Sequence, residues 1–131
     1  MNIAAALTKA SEKLQAAGVT EARREASSLL EFILQQNSAY LIAHSDDQLA
    51  ANHKMIFDAC VRRRADREPQ QYVTGRCEFW RLEFELTPDV LIPRPETEIL
   101  VEAAIEVLQS SDNPRFCEIG VGSGCIAVSI L

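Results

Sequence analysis

Pro69 separates two stretches with different hydrophobic periods, and this change limits the fold more than any other feature. Before it, apolar residues recur every three or four positions, the spacing of one helix face. Ile3, Leu7, Ala10, Leu14 and Ala17 form the first such stripe, and Gly18 stops it as a C-terminal cap. Thr20 is placed to cap a second helix, whose first turn carries Glu21, the sign that suits a helix N-terminus. Ala22, Ala26, Leu29, Leu30 and Ile33 share its inner face, and Asn37 ends it. Residues 38–44 read as a short third helix. Ser45, Asp46 and Asp47 offer cap oxygens to a fourth, in which Leu49, Ile56, Phe57 and Cys60 face inward, with Pro69 at its end. Four short-looped helices with single apolar stripes predict a small all-α helical bundle over residues 1–68.

After Pro69 the period changes. Leu82, Phe84 and Leu86 alternate with Glu83 and Glu85, the pattern of a half-buried strand. Residues 71–79, rich in Tyr, Val, Thr and Phe, are its expected antiparallel partner. Residues 69–92 thus read as a β-hairpin linker. Pro95 suits a first helical turn, with Glu96 and Glu98 at the positive end. Ile99, Leu100, Ala103, Val107 and Leu108 then mark an amphipathic helix, and residues 110–114 a loop. Residues 116–119 read as a short apolar strand, followed by three glycines and the start of another helix at Cys125. The fold class is α+β as present, ending in the opening of an α/β unit over residues 93–131.

The glycines carry the chemistry. Glu118-Ile119-Gly120-Val121-Gly122-Ser123-Gly124 lies between an expected strand and an expected helix. Glycines there let the backbone turn tightly and approach a ligand closely. Cys125 occupies the position where a dinucleotide fingerprint needs its third glycine, which argues against NAD or FAD. No Gly-Lys-Ser/Thr follows, so the segment is not a P-loop. An acidic residue just before the glycines disfavours a pyrophosphate and suits a cationic ligand. S-adenosylmethionine carries a sulfonium, an amino group and no phosphate.

Val90-Leu91-Ile92-Pro93-Arg94-Pro95-Glu96-Thr97-Glu98, followed after a helix by residues 118–127, resembles the protein-(glutamine-N5) methyltransferases that modify peptide-chain release factors. Pro69-Gln70-Gln71-Tyr72-Val73-Thr74-Gly75 and Glu78-Phe79-Trp80 resemble that family's hairpin, and the helical region resembles its substrate-binding domain. The resemblance implies a helical domain, a hairpin and a Rossmann-like methyltransferase domain. It implies methyl transfer from S-adenosylmethionine to the amide of a release-factor glutamine in a Gly-Gly-Gln loop. It further implies that Glu118, Gly120, Val121, Gly122, Ser123 and Gly124 line the cofactor site. Pro93, Arg94, Glu96 and Thr97 would close over cofactor and substrate. The family's Asn-Pro-Pro-Tyr motif, which holds the amide, does not occur in these 131 residues, and Asn113-Pro114 is followed by Arg115 and Phe116. No catalytic residue is therefore assigned, and the chain alone is expected to be inactive. Arg81 stands where the family's hairpin turn usually has glycine.

Charge and cysteines narrow the alternatives. The net charge is -6, so a nucleic-acid target such as adenine is disfavoured against a protein one. A non-catalytic module that docks on a release factor is the other alternative. Arg62, Arg63, Arg64 and Arg67 form one basic cluster, read as a helix face pairing with Asp58, Asp66 and Glu68, with contact to an acidic partner as the second reading. Cys60, Cys77, Cys117 and Cys125 show no metal-binding spacing and read as free, mostly buried thiols, so no metal is expected. With no apolar run long enough for a membrane span and no leader pattern at the start, the expectation is a cytoplasmic monomer.

Overall fold

Asn2 starts the first helix: its side-chain oxygen accepts from the Ala5 amide at 2.9 Å. The computed structural model describes residues 1–131 and divides them into two units, residues 1–74 and residues 75–131. In the first unit α1 runs Ile3–Ala16, α2 Ala22–Leu34, α3 Ser38–Ala43, α4 Ala51–Ala65 and the short α5 Gln70–Thr74. The α1 stripe buries Ile3, Ala6, Leu7, Ala10 and Leu14, and α2 buries Ala22, Ala26, Leu29 and Leu30. Phe57, Cys60 and Val61 of α4 join them in one continuous core. No helix is long and apolar enough to cross a membrane.

Several boundaries differ from expectation. Thr20 does not cap α2, which begins behind Glu21 without a side-chain cap, and Glu21 pairs with Arg24 at 2.8 Å instead. Gln35, in the left-handed region at φ 52°, ends α2, and the Asn37 side chain accepts from the Tyr40 amide to start α3. Ser45–Asp47 do not cap the fourth helix either. The carbonyls of Ser45 and Asp47 accept from the Ala4 and Ile3 amides at 2.9 and 3.0 Å, satisfying the orphan donors at the start of α1. Ile56 is 46% exposed, because the buried stripe of α4 runs through Phe57, Cys60 and Val61, one step further round the helix.

Residues 71–79 are not one strand. Residues 70–74 form α5, and only Arg76–Phe79 (β1) pair with Leu82–Glu85 (β2), antiparallel, with Phe79 opposite Leu82. The Pro69 carbonyl accepts from the Tyr72 and Val73 amides, so the proline starts a helical turn rather than a strand. The two-residue turn Trp80-Arg81 holds both residues at positive φ, 52° and 61°. That is the backbone sign of a type I′ hairpin, whose twist matches the strands. A side chain in the left-handed region costs about 1–2 kcal/mol, so Arg81→Gly is expected to stabilise this unit by roughly 0.5–1 kcal/mol after the added unfolded-state entropy of glycine. A rise in the melting temperature followed by fluorescence of Trp80, the single tryptophan, checks it. An unchanged or lower value would refute the strained-turn reading.

The second unit continues with a 3-10 turn, Pro95–Thr97, then α6 (Glu98–Gln109) and α7 (Cys125–Ile130). Its core is Phe79, Val101 and Cys125, against which Trp80, Phe84, Ile105, Ile126 and Ile130 pack. Phe79 and Phe84 meet edge to face at 6.3 Å. The inward face of α6 is therefore Val101 and Ile105, not the expected stripe. Ile99, Leu100 and Val107 are 70%, 55% and 68% exposed. The expected strand at 116–119 is absent: these residues are irregular and Ile119 is 95% exposed. A strand exists only when hydrogen-bonded to a neighbour, and the sole sheet here is the β1–β2 pair. The start of a Rossmann-like sheet thus does not form within these residues.

Candidate functional site

Three glycines in the left-handed region shape the loop before α7: Gly120 at φ 78°, Gly122 at 56° and Gly124 at 77°. Backbone conformation rather than crowding within the chain makes glycine the fitting residue. A Cβ at Gly120 would meet no atom within 4 Å, and one at Gly122 only the Gly120 carbonyl at 3.9 Å. The Gly124 amide donates to the Val121 carbonyl at 2.8 Å, closing the turn, and the Val128 amide donates to the Gly124 carbonyl at 3.0 Å, opening the helix. Glu118 is half-buried, and its Oε2 accepts from the Ala127 amide at 3.1 Å. That amide belongs to the first turn of α7, where an intrahelical partner is missing, so the carboxylate fastens the loop's entrance to the helix behind it. Val121 is 49% exposed and Ser123 half-buried. One wall of the loop therefore faces solvent.

The second expected segment lies ahead of α6. Pro93 and Thr97 are half-buried, while Arg94 and Glu96 are exposed. The Thr97 amide donates to the Arg94 carbonyl at 2.9 Å, which closes the 3-10 turn begun by Pro95. No hydrogen bond joins this segment to the glycine loop. Its neighbour Glu98 carries a contact that the sequence did not signal, because the partners stand far apart in the chain. Glu98 Oε1 accepts from the Trp80 amide at 2.8 Å, tying the strained hairpin turn to the start of α6.

The basic cluster is dispersed by its partners. Arg63 pairs with Glu68 at 2.5 Å and also donates to the Tyr72 and Val73 carbonyls. The hydrogen bond from Arg63 holds the Glu68 carboxyl below its ordinary pKa. Arg64 pairs with Glu25 of α2, and Arg67 donates to the Ala17 and Gly18 carbonyls at 3.2 and 3.1 Å, closing the C-terminus of α1. Asp58 is engaged by Lys54, not by an arginine. Of the four thiols, Cys60 and Cys125 are buried, Cys77 is half-buried and Cys117 exposed. Burial pushes the Cys60 and Cys77 thiols above their ordinary pKa.

Residues 5–75 match the PrmC N-terminal domain. A release factor glutamine methyltransferase from Koribacter versatilis is 38% identical over 130 residues, covering 99% of this chain and 46% of that protein. One from Coxiella burnetii is 43% identical over 108 residues, 82% of this chain and 39% of the relative. A third, from Cereibacter sphaeroides, is 39% identical over 131 residues, again 46% of its length. The chain thus spans less than half the length of these curated relatives. Because the matched domain covers more than half of the chain and the similarity runs on through the glycine loop, the chain belongs to the release factor glutamine methyltransferase family.

Proposed function

We propose that this chain supplies two parts of a methyl-transfer machine: a helical unit that docks a peptide-chain release factor, and the loop that receives S-adenosylmethionine. The reaction is methylation of the glutamine side-chain amide in the release factor's Gly-Gly-Gln loop. The observation that carries the reading is the run of left-handed glycines at 120, 122 and 124, fastened by the Glu118 carboxylate to the first turn of α7. This loop fits the methionine end of the cofactor. Its open Cβ positions leave room for close approach, its backbone N–H groups can donate to a carboxylate, and Glu118 brings a negative charge near a cationic ligand. When bound, S-adenosylmethionine supplies the activated methyl group.

The residues of this chain hold and orient; they do not complete the chemistry. Gly120, Val121, Gly122, Ser123 and Gly124 would hold the cofactor, with Glu118 fixing the loop. Pro93, Arg94, Glu96 and Thr97 would border it as part of the Rossmann-like unit. An amide nitrogen is a weak nucleophile, since its lone pair is delocalised into the carbonyl. Rate enhancement must come from holding the amide, aiming its nitrogen and excluding water. The side chains for that step are not among these residues, and the loop has one open wall.

Two measurements test the reading. Calorimetry of residues 1–131 with S-adenosylmethionine is expected to show no binding tighter than about millimolar, because a site with one wall open leaves most of the ligand in water. Fused to the remaining part of the Koribacter relative, the chain is expected to transfer labelled methyl to the release-factor glutamine, and Gly122→Val in that fusion to abolish transfer. Tight binding by the chain alone, or label on nucleic acid in place of the glutamine, contradicts the proposal.

A further inference from the structure

A cationic cleft on the first unit has no part in the cofactor loop described above. It lies between α1 and α4, has a volume of about 200 Å³, and carries Lys9, Lys13 and Arg62 on its rim. Its floor is made by Ala6, Ala10 and Val61, which belong to the core. Elsewhere in this unit the cations are mostly spent: Arg24, Lys54, Arg63 and Arg64 hold carboxylates, and Arg67 holds carbonyls. Lys9, Lys13 and Arg62 are exposed and form no ion pair. The one acid on the rim, Asp58, is engaged by Lys54 of its own helix. Residues 1–74 hold nine acidic and nine basic side chains, so this concentration of positive charge arises from placement, not composition.

We propose that this cleft docks an acidic helix of a partner protein, one carrying carboxylates a turn apart. Lys9 and Lys13 are separated by four residues, a rise of about 6 Å, which matches glutamates or aspartates at i and i+4 on a facing helix. Beside the lysines the floor is formed by the small side chains of Ala6 and Ala10, so the surface is low next to the two charges. Arg62, from the neighbouring α4, adds a planar donor that can grip one carboxylate through two nitrogens. Three features disfavour nucleic acid. No aromatic ring lines the cleft to stack a base. The lysines lie on the side of a helix, not at a cradle of backbone amides. Outside the cleft the unit's remaining cations are largely paired, so a long polyanion running past it would gain little further phosphate neutralisation. The inference rests on the reading of the first unit as a docking unit for a protein and deepens it, while neither the glycine loop nor the cofactor takes part.

The test uses residues 1–131 and two probes: an alanine-based helical peptide with paired glutamates at i and i+4, and poly-uridylate RNA. Titration by fluorescence anisotropy should show saturable binding of the peptide that weakens with added salt. Lys9→Glu/Lys13→Glu should weaken it roughly tenfold or more, whereas Arg23→Glu, an exposed cation outside the cleft, should leave it unchanged. Arg62→Glu serves as a second reversal on the other helix, and circular dichroism of each variant confirms the fold. No peptide binding overturns the proposal, as does equal weakening by Arg23→Glu. Binding of the RNA in preference to the peptide, lost on reversal of the lysines, would assign the cleft to phosphate instead.

Discussion

Phe57→Ala is expected to destabilise the helical unit by about 3–5 kcal/mol. Phe57 is 1% exposed and lies on the buried stripe of α4, among the largest fully buried side chains of the first unit. Truncation removes the apolar surface of a phenyl ring from the core and leaves a cavity between helices that can collapse only partly. The unit has 74 residues, for which a stability of roughly 4–11 kcal/mol is ordinary. One substitution thus consumes a large share of the margin. Urea unfolding followed by circular dichroism measures it. The same experiment on Ile56→Ala is the control. Ile56 neighbours Phe57 in sequence and is 46% exposed, so its loss should stay near 1 kcal/mol. Equal losses at the two positions would show that the stripe is wrongly placed.

Arg64→Ala is the second large effect, expected at about 2–3 kcal/mol. Arg64 donates to both oxygens of Glu25, through Nε at 2.5 Å and Nη2 at 3.1 Å, and the pair joins α4 to α2. The two side chains are 17% and 20% exposed, so water screens them poorly. Removing the arginine strands a half-buried carboxylate, and that desolvation, not the lost attraction, dominates the cost. Removing both partners should therefore cost less than the sum of the single losses. Arg24–Glu21 supplies the contrast, being 80% and 60% exposed; Arg24→Ala should cost under about 1 kcal/mol. If Arg64→Ala were no worse than Arg24→Ala, the pair would be only a surface contact.

The helical half was legible because its information is local. A stripe such as Ala22, Ala26, Leu29 and Leu30 needs only the helix period to declare its inner face. Legibility failed where a residue has two competing uses. Thr20 and Asp47 are good caps by type, yet α2 begins without a side-chain cap, and the Asp47 carbonyl serves α1 while its carboxylate meets His44. Gln71 to Thr74 have the composition of a strand and form a helical turn, because Pro69 presets one and supplies its first acceptor. In α6 the apolar residues cover more than one face, and the expected stripe through Ile99, Leu100, Ala103, Val107 and Leu108 was the wrong one, since Val101 and Ile105 face inward. Packing of α6 against the hairpin and α7 decided the face.

The glycine loop shows the same division. From the sequence alone came the turn itself, since three glycines at that spacing permit left-handed backbone that other residues resist. The family resemblance came with it, through the residues around Pro93 and Glu118. Only the tertiary structure decided what the charges do. It bound Glu118 to the Ala127 amide and Glu98 to the Trp80 amide, and it spent Arg63, Arg64 and Arg67 on separate partners. It also left Arg62 beside Lys9 and Lys13. Periodicity is a property of one segment, and a sequence displays it whole. An ion pair or a strand is a property of two segments, and it exists only when the fold sets the second beside the first. For that reason the helices and the glycine turn could be read in advance, while the cationic cleft and the missing strand at 116–119 could not.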